Sequence, residues 1–346
     1  SGSKNLAMRR IVAELWGRVG HMQNDFAVRN LMEMIDGGED RVLEHSIIYA
    51  LIEVNDPNTT AELMKNNPRD MAKRIALIAL DQMDNGNLKP EQVAPFLLST
   101  NAALKEAATW IVSHHPDWGD ALAGFFRDAL GKKEISPAEQ IELEKQLANL
   151  SSSAAIQELI AKTLQSDSKT LRSLALKTIA QSSLKIAPDS WTTEILKFLG
   201  GKELVTEAIA AAHAVPAAKD KSAAMSAALL KIAHDKSQPA ELRLNALAAL
   251  PNITNLDSDL FNFLVANLDS TKPVLTRSAA TSVLTRATLS QEQLLALTDS
   301  LKTVGPLEST KILSAFEKPA AANEIVGTKL ISALKEAKTI NTMRVE

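Results

Sequence analysis

Leu171-Arg172-Ser173-Leu174-Ala175 is one of five versions of a motif that returns about every 29 to 38 residues. The others are Ala72-Lys73-Arg74-Ile75-Ala76, Leu104-Lys105-Glu106-Ala107-Ala108, Leu242-Arg243-Leu244-Asn245-Ala246 and Leu275-Thr276-Arg277-Ser278-Ala279. Each opens on a small or branched apolar residue, carries one or two basic or polar residues, and continues with apolar residues at helical spacing. A unit of that length fits a helical hairpin that cannot bury its apolar side alone and must stack on its neighbours. The expected fold is therefore all-α, an α-solenoid of HEAT-like hairpins.

Working outward, Pro, Asn, Asp and Gly punctuate helical patterns throughout, and strand-like alternation is absent. The spacing predicts helices at about 4–19, 24–36, 39–54, 57–65, 69–84, 90–98, 101–114, 118–130, 137–150, 153–165, 168–182, 189–199, 202–213, 219–234, 239–250, 256–267, 272–286, 290–302, 306–316 and 322–338. Paired off, these make nine or ten antiparallel hairpins. Pro68, Pro90, Pro137, Pro188 and Pro239 fall at or just before a first helical turn, where a missing N–H costs nothing, and no proline is expected inside a helix. Ser136-Pro137-Ala138-Glu139 has the form of a capping box, and Asp257 or Ser258 is placed to cap the helix that follows.

Residues 4–338 read as one continuous array, with an irregular bend around 131–190, where Asn149-Leu150-Ser151-Ser152-Ser153 and Gln181-Ser182-Ser183 form serine-rich turns. Ser1-Gly2-Ser3 reads as a vector-derived scar, and 339–346 as a frayed tail.

Hydrophobic residues make up 45% of the chain and charged residues 23%, enough to bury a core, while aromatics are only 4%. Alanine, leucine and isoleucine carry the apolar mass, which suits closely approaching helices. A net charge of −3 and a pI near 6.1 supply no overall positive field for nucleic acid or anionic lipid. The absence of cysteine excludes thiolate nucleophiles, Cys-ligated zinc and covalent c-type haem within this chain. No apolar run reaches the roughly 20 residues of a spanning helix, so membrane insertion by this segment is not expected.

The basic residue of each motif, Arg74, Lys105, Arg172, Arg243 or Arg277, recurs at one place on successive repeats. It reads either as a basic stripe for an acidic partner or as a ladder of turn-stabilising side chains. Asp70, Asn101 and Asp167 in the preceding turns are the expected acceptors, which favours the ladder.

Candidate reactive groups are few. His114-His115-Pro116-Asp117-Trp118-Gly119-Asp120 is the densest polar cluster. Adjacent histidines at a helix end usually diverge, and dipole and capping roles account for His114, Asp117 and their neighbours. Glu44-His45 reverses the His-Glu order of di-iron hydroxylases built from such repeats. His21, His213 and His234 lie far apart near helix ends. No G-x-S-x-G, H-E-x-x-H or P-loop motif occurs, and Ser182-Ser183 and Gly200-Gly201 are turn chemistry. Trp110 sits in a strongly apolar helix and is expected in the core; Trp16, Trp118 and Trp191 lie near helix ends and are candidates for partial exposure, with core or rim packing favoured over a docking-anchor role for each. No catalytic, cofactor or metal residue is assigned, and no enzyme is expected.

One region goes beyond generic repeats. Leu43-Glu44-His45-Ser46-Ile47-Ile48-Tyr49-Ala50-Leu51-Ile52-Glu53, Ala79-Leu80-Asp81-Gln82-Met83, Leu88-Lys89-Pro90-Glu91-Gln92-Val93-Ala94-Pro95-Phe96-Leu97, Ala108-Thr109-Trp110-Ile111-Val112-Ser113-His114-His115-Pro116-Asp117-Trp118 and Leu122-Ala123-Gly124-Phe125-Phe126 resemble the HEAT-repeat region of large bacterial haem-binding CxxCH proteins, a group of membrane-bound dehydrogenases. The likeness covers about 20–130. It implies a segment between a sugar-dehydrogenase-like β-propeller and a c-type cytochrome domain, in an exported, periplasmic, membrane-associated protein. The c-type haem would belong to that separate domain, since this chain has no CxxCH and no propeller-like strands. The role implied is a scaffold or connector, with neighbouring domains or a protein as partner. Two alternatives from other classes are a solenoid nucleic-acid binder resembling DNA glycosylases, with the motif's basic residues lining a groove, and a metal enzyme centred on His114 and His115.

Overall fold

The computed structural model describes residues 5–35, 40–253, 256–317 and 323–336. The proposed scar at 1–3 and tail at 339–346 lie outside the described residues. Every element among them is helical, apart from one isolated bridge between Asp269 and Val304. The chain divides between Leu159 and Ile160 into two compact units, at a point inside the irregular stretch marked by the serine-rich turns.

In the first unit the helices are α1 (Leu6–Val19), α2 (Asn24–Glu33), α3 (Arg41–Val54), α4 (Pro57–Asn66), α5 (Asp70–Gln82), α6 (Pro90–Val93), α7 (Ala102–His114), α8 (Gly119–Leu130) and α9 (Pro137–Asn149). Helix α10 (Ala154–Leu164) carries the division. The second unit continues with α11 (Lys169–Gln181), α12 (Asp189–Gly200), α13 (Val205–Ala214), α14 (Lys219–His234), α15 (Ala240–Ala248), α16 (Ser258–Ala266), α17 (Val274–Arg286), α18 (Gln291–Ser300), α19 (Pro306–Leu313) and α20 (Glu324–Glu336). Each overlaps one of the twenty stretches read from the spacing, with α4, α12 and α13 running one residue past the expected end.

Within each unit the helices form two layers. In the first, α1, α3, α5, α7 and α9 pack one on the next, and α2 meets α4 and α6 meets α8 in the other layer. In the second, α11, α13, α15, α17 and α19 form one layer and α12, α14, α16, α18 and α20 the other. Hairpin contacts such as α4 with α5 and α14 with α15 join the layers. Each unit is thus an α-solenoid, in which like units bury their apolar sides against their neighbours.

All five motif copies lie in the odd-numbered helices, starting at the third residue of α5, α7, α11 and α15 and the second of α17. Their apolar positions supply the seams: Ile75, Ala76 and Leu77 of α5, Ala107, Ala108 and Ile111 of α7, and Leu174, Ala175 and Leu176 of α11 are buried. Leu275 is the exception, since it projects from the first turn of α17 and is exposed.

The helix starts follow local chemistry. Asp40 accepts from the Val42 and Leu43 amides, Asn101 from Leu104, and Asp257 from Leu260. The Ser136/Glu139 capping box closes on both sides, and Ser290 with Gln293 makes a second. Helix α3 ends on Asn55 in the left-handed region, at φ 53°.

One expectation fails at Pro95. The spacing predicts a single helix over 90–98, but α6 stops at Val93 and becomes a 3₁₀ turn over Ala94–Phe96. Pro95 has no N–H to continue the ladder. The Leu97 carbonyl released beyond it accepts from the buried Gln146 amide of α9 at 3.1 Å. That amide also reaches Glu142 at 2.7 Å, and Glu142 accepts from the Thr109 hydroxyl of α7 at 3.0 Å.

Candidate docking surface

The motif's four arginines are held in place by the repeats themselves. Arg172 donates to the Ser166 and Asp167 carbonyls at 2.8 and 2.9 Å and reaches Glu203, before α13, at 3.1 Å. Arg277 donates to the Lys272 carbonyl at 2.6 Å and stands 3.4 Å from Glu308 of α19, whose side chain is nearly buried. Arg243 donates to the Ala233 carbonyl at 2.7 Å and lies 3.8 Å from the centre of the Phe263 ring. Arg74 pairs with Glu44 of α3 and donates to the Ala103 carbonyl at the start of α7, so it joins three successive helices of one layer. Burial holds its guanidinium below the ordinary value.

The acceptors differ from those the sequence indicated. Asp167 accepts through its backbone, Asn101 caps its own helix, and Asp70 lies 3.9 Å from Lys73 rather than beside Arg74. All four arginines donate to a backbone carbonyl, and for Arg74, Arg172 and Arg277 the acid comes from a neighbouring repeat. Lys105 stands apart from the four arginines, because it lines a groove.

The cluster at 114–120 disperses. His115 Nε2 lies 2.8 Å from Asp81 Oδ1 of α5, and its ring stacks on Trp118 with centroids 4.1 Å apart. His114 turns the other way, with Nδ1 2.8 Å from the Trp110 carbonyl and its ring tilted against Trp110. Asp120 accepts from the Ser153 hydroxyl at 2.6 Å, which holds its carboxyl below the usual range. Among the described residues no three His, Asp or Glu side chains converge as a metal site would require. His234 pairs with Asp257 at 3.1 Å, His213 borders a small groove beside Arg286, and the His21 side chain lies outside the described residues.

Trp110, Trp118 and Trp191 lie away from their expected places, while Trp16 is partly exposed as its position near a helix end suggested. Trp191 is fully buried and Trp118 nearly so, Trp16 is half-buried against Phe26, and Trp110 is 44% exposed. Helix α7 is apolar on the side facing α5, where Ala107, Ala108 and Ile111 lie, and residue 110 falls on the other side. Composition of a helix says less than the angle at which a residue leaves it.

Two grooves on the odd-numbered layer of the first unit hold exposed aromatic side chains. A groove of about 500 Å³ runs between α1 and α3, lined by Glu14, Arg18, His45, Tyr49 and Glu53. Tyr49 is 57% exposed, and its hydroxyl bonds to Glu53, which holds the phenol above its usual value. His45, Tyr49 and Glu53 share one face of α3 because they follow at intervals of four. A second groove of about 340 Å³ lies between α7 and α9, lined by Lys105, Glu106, Trp110, Glu142 and Lys145. Each groove holds one exposed aromatic ring among charges of both signs, the composition of a protein-binding rim and anchor rather than a phosphate track. The sequence carried one sign of this, since Tyr49 is the only tyrosine.

Among the described residues no helix is long and apolar enough to cross a membrane. No protein-family model matches this chain, and no curated protein matches it either.

Proposed function

We propose that this chain is a non-enzymatic HEAT-type scaffold, a connector in a larger exported redox protein between a dehydrogenase-like propeller and a c-type cytochrome domain. The grooves at Tyr49 and Trp110 would be the surfaces it offers to those neighbours. The observation that carries the reading is the fate of the polar side chains. The motif arginines are spent on turns and seams, the histidines at 114 and 115 part company, and the exposed rings of Tyr49 and Trp110 sit in shallow grooves of mixed charge. Shape set by stacked repeats, with a few aromatic anchors, is how such arrays bind. The resemblance over 20–130 supplies the redox context.

Two measurements test it. The coding sequence on either side should contain propeller strands upstream and a CxxCH downstream. Those domains, produced separately, should bind this chain, and Tyr49→Ala with Trp110→Ala should weaken binding by about tenfold or more. Stoichiometric haem binding or sugar oxidation by this chain alone would overturn the proposal, as would flanks with neither feature. No observation favours the nucleic-acid reading, because Arg74, Arg172, Arg243 and Arg277 are already engaged.

A further inference from the structure

Helix α1 is apolar on two opposite sides. Toward α3 it presents Ala13, Gly17 and Gly20. On the far side, Met8, Ile11, Leu15 and Val19 form a stripe, with Met22 in the turn that follows. Their exposures run from 50% at Met8 to 79% at Met22. At about 100° per residue these positions fall within one narrow band, opposite the α3 seam. Phe26, exposed and set edge-on to Trp16, widens the patch on its α2 side. Glu14 and Arg18 flank it on the other side and are both exposed.

The stripe reads the same in both directions. Its intervals are 3, 4, 4 and 3, centred on Leu15. A second helix laid antiparallel on that centre sets Leu15 against Leu15, Ile11 against Val19 and Met8 against Met22. A twofold axis normal to the pair brings like flanks together, so Glu14 of each copy faces Arg18 of the other. The two charges are offset by about 3 Å along the axis, as are the two Glu14 carboxylates, so two Glu14–Arg18 contacts stand against one like-charge contact. Arg9 and Arg10 do not crowd this contact. Arg10 holds Asp40 at 2.7 Å and Arg9 donates to the Met34 carbonyl.

We propose that the outward face of α1 is where two copies of this chain pair, antiparallel about a twofold axis through Leu15. A monomer would leave the connector reading intact; Glu14 and Arg18 also line the Tyr49 groove, whereas Leu15 does not, so Leu15 variants separate the two readings.

Sedimentation of the purified chain at micromolar concentration should give twice the chain mass. Leu15→Glu should halve that mass while leaving the helical circular-dichroism spectrum unchanged, since Leu15 is half exposed within its own copy. Glu14→Arg should weaken the dimer and Glu14→Arg with Arg18→Glu should restore it. The chain has no cysteine, so Leu15→Cys introduces a single thiol. A short thiol-reactive linker should then join two copies, whereas Ile186→Cys, on the second unit, should not crosslink. A monomeric parent chain would overturn the proposal and leave the stripe to a different helix; a Leu15→Glu variant that stays dimeric would overturn it by placing the contact elsewhere.

Discussion

Gly17 and Gly20 set how near α1 comes to α3. A Cβ on Gly17 would lie 3.1 Å from the Ala50 Cα, and one on Gly20 2.6 Å from Val54 Cγ2 and 2.9 Å from Ala27 Cβ. Backbone cannot yield as a side chain does, so Gly17→Leu should destabilise the first unit by about 1–3 kcal/mol in urea unfolding. Trp191 and Trp110 make a second contrast. Trp191→Ala empties a fully buried site and should cost about 3–5 kcal/mol. Trp110→Ala, on the exposed side of α7, should cost about 1 kcal/mol or less. Glu139 gives a pH handle. Bonds from the Ser136 backbone and hydroxyl, with Lys132 beside it, hold its carboxyl at about 2, against an ordinary 4.5. The folded value is depressed, so the stability it brings to α9 is fully present above about 4.5 and is lost as pH falls through about 2. An NMR titration of Glu139 showing a midpoint near 4.5 would contradict this.

At the scale of elements, the seam between α17 and α19 holds the most buried ion pair described here. Arg277 and Glu308 have side-chain exposures of 13% and 3% and stand 3.4 Å apart. Arg277→Met leaves the Glu308 carboxylate buried without its cation and should cost about 3 kcal/mol. Adding Glu308→Leu should recover most of that loss, and a double-mutant cycle reads the coupling. A double variant whose loss equals the sum of the two single losses would mean that the two residues are not coupled. Helix positions, caps and the serine-rich turns were legible because each follows from a few adjacent residues. Pro95 shows where that reasoning broke, since the run over 90–98 is helical in pattern but one missing N–H ends the α-helix at Val93. The buried Gln146 that answers it lies forty-nine residues away from Leu97, a distance that no local pattern reports.

At the scale of the whole molecule, the repeat period was enough to indicate stacked hairpins, because a hairpin with two apolar sides has no stable alternative to neighbours. Surfaces were much less legible. Which side of α7 carries Trp110, which carbonyl receives Arg172, and which side of α1 stays open depend on the angle between packed helices, and that angle is a sum over contacts from distant parts of the chain. Function therefore rests on the two grooves and the resemblance, while the fold rests on the seams.

Seams shared only with immediate neighbours imply that stability is local. In a one-dimensional array, helices with neighbours on both sides open last, and those at an end open first. Native-state hydrogen exchange of the intact chain in rising urea measures this helix by helix. The account predicts that α20 loses protection at a lower urea concentration than α3, α5 and α7, with each hairpin showing its own opening free energy. Amides that all converge on one common opening free energy would show a single closed core, and would contradict it.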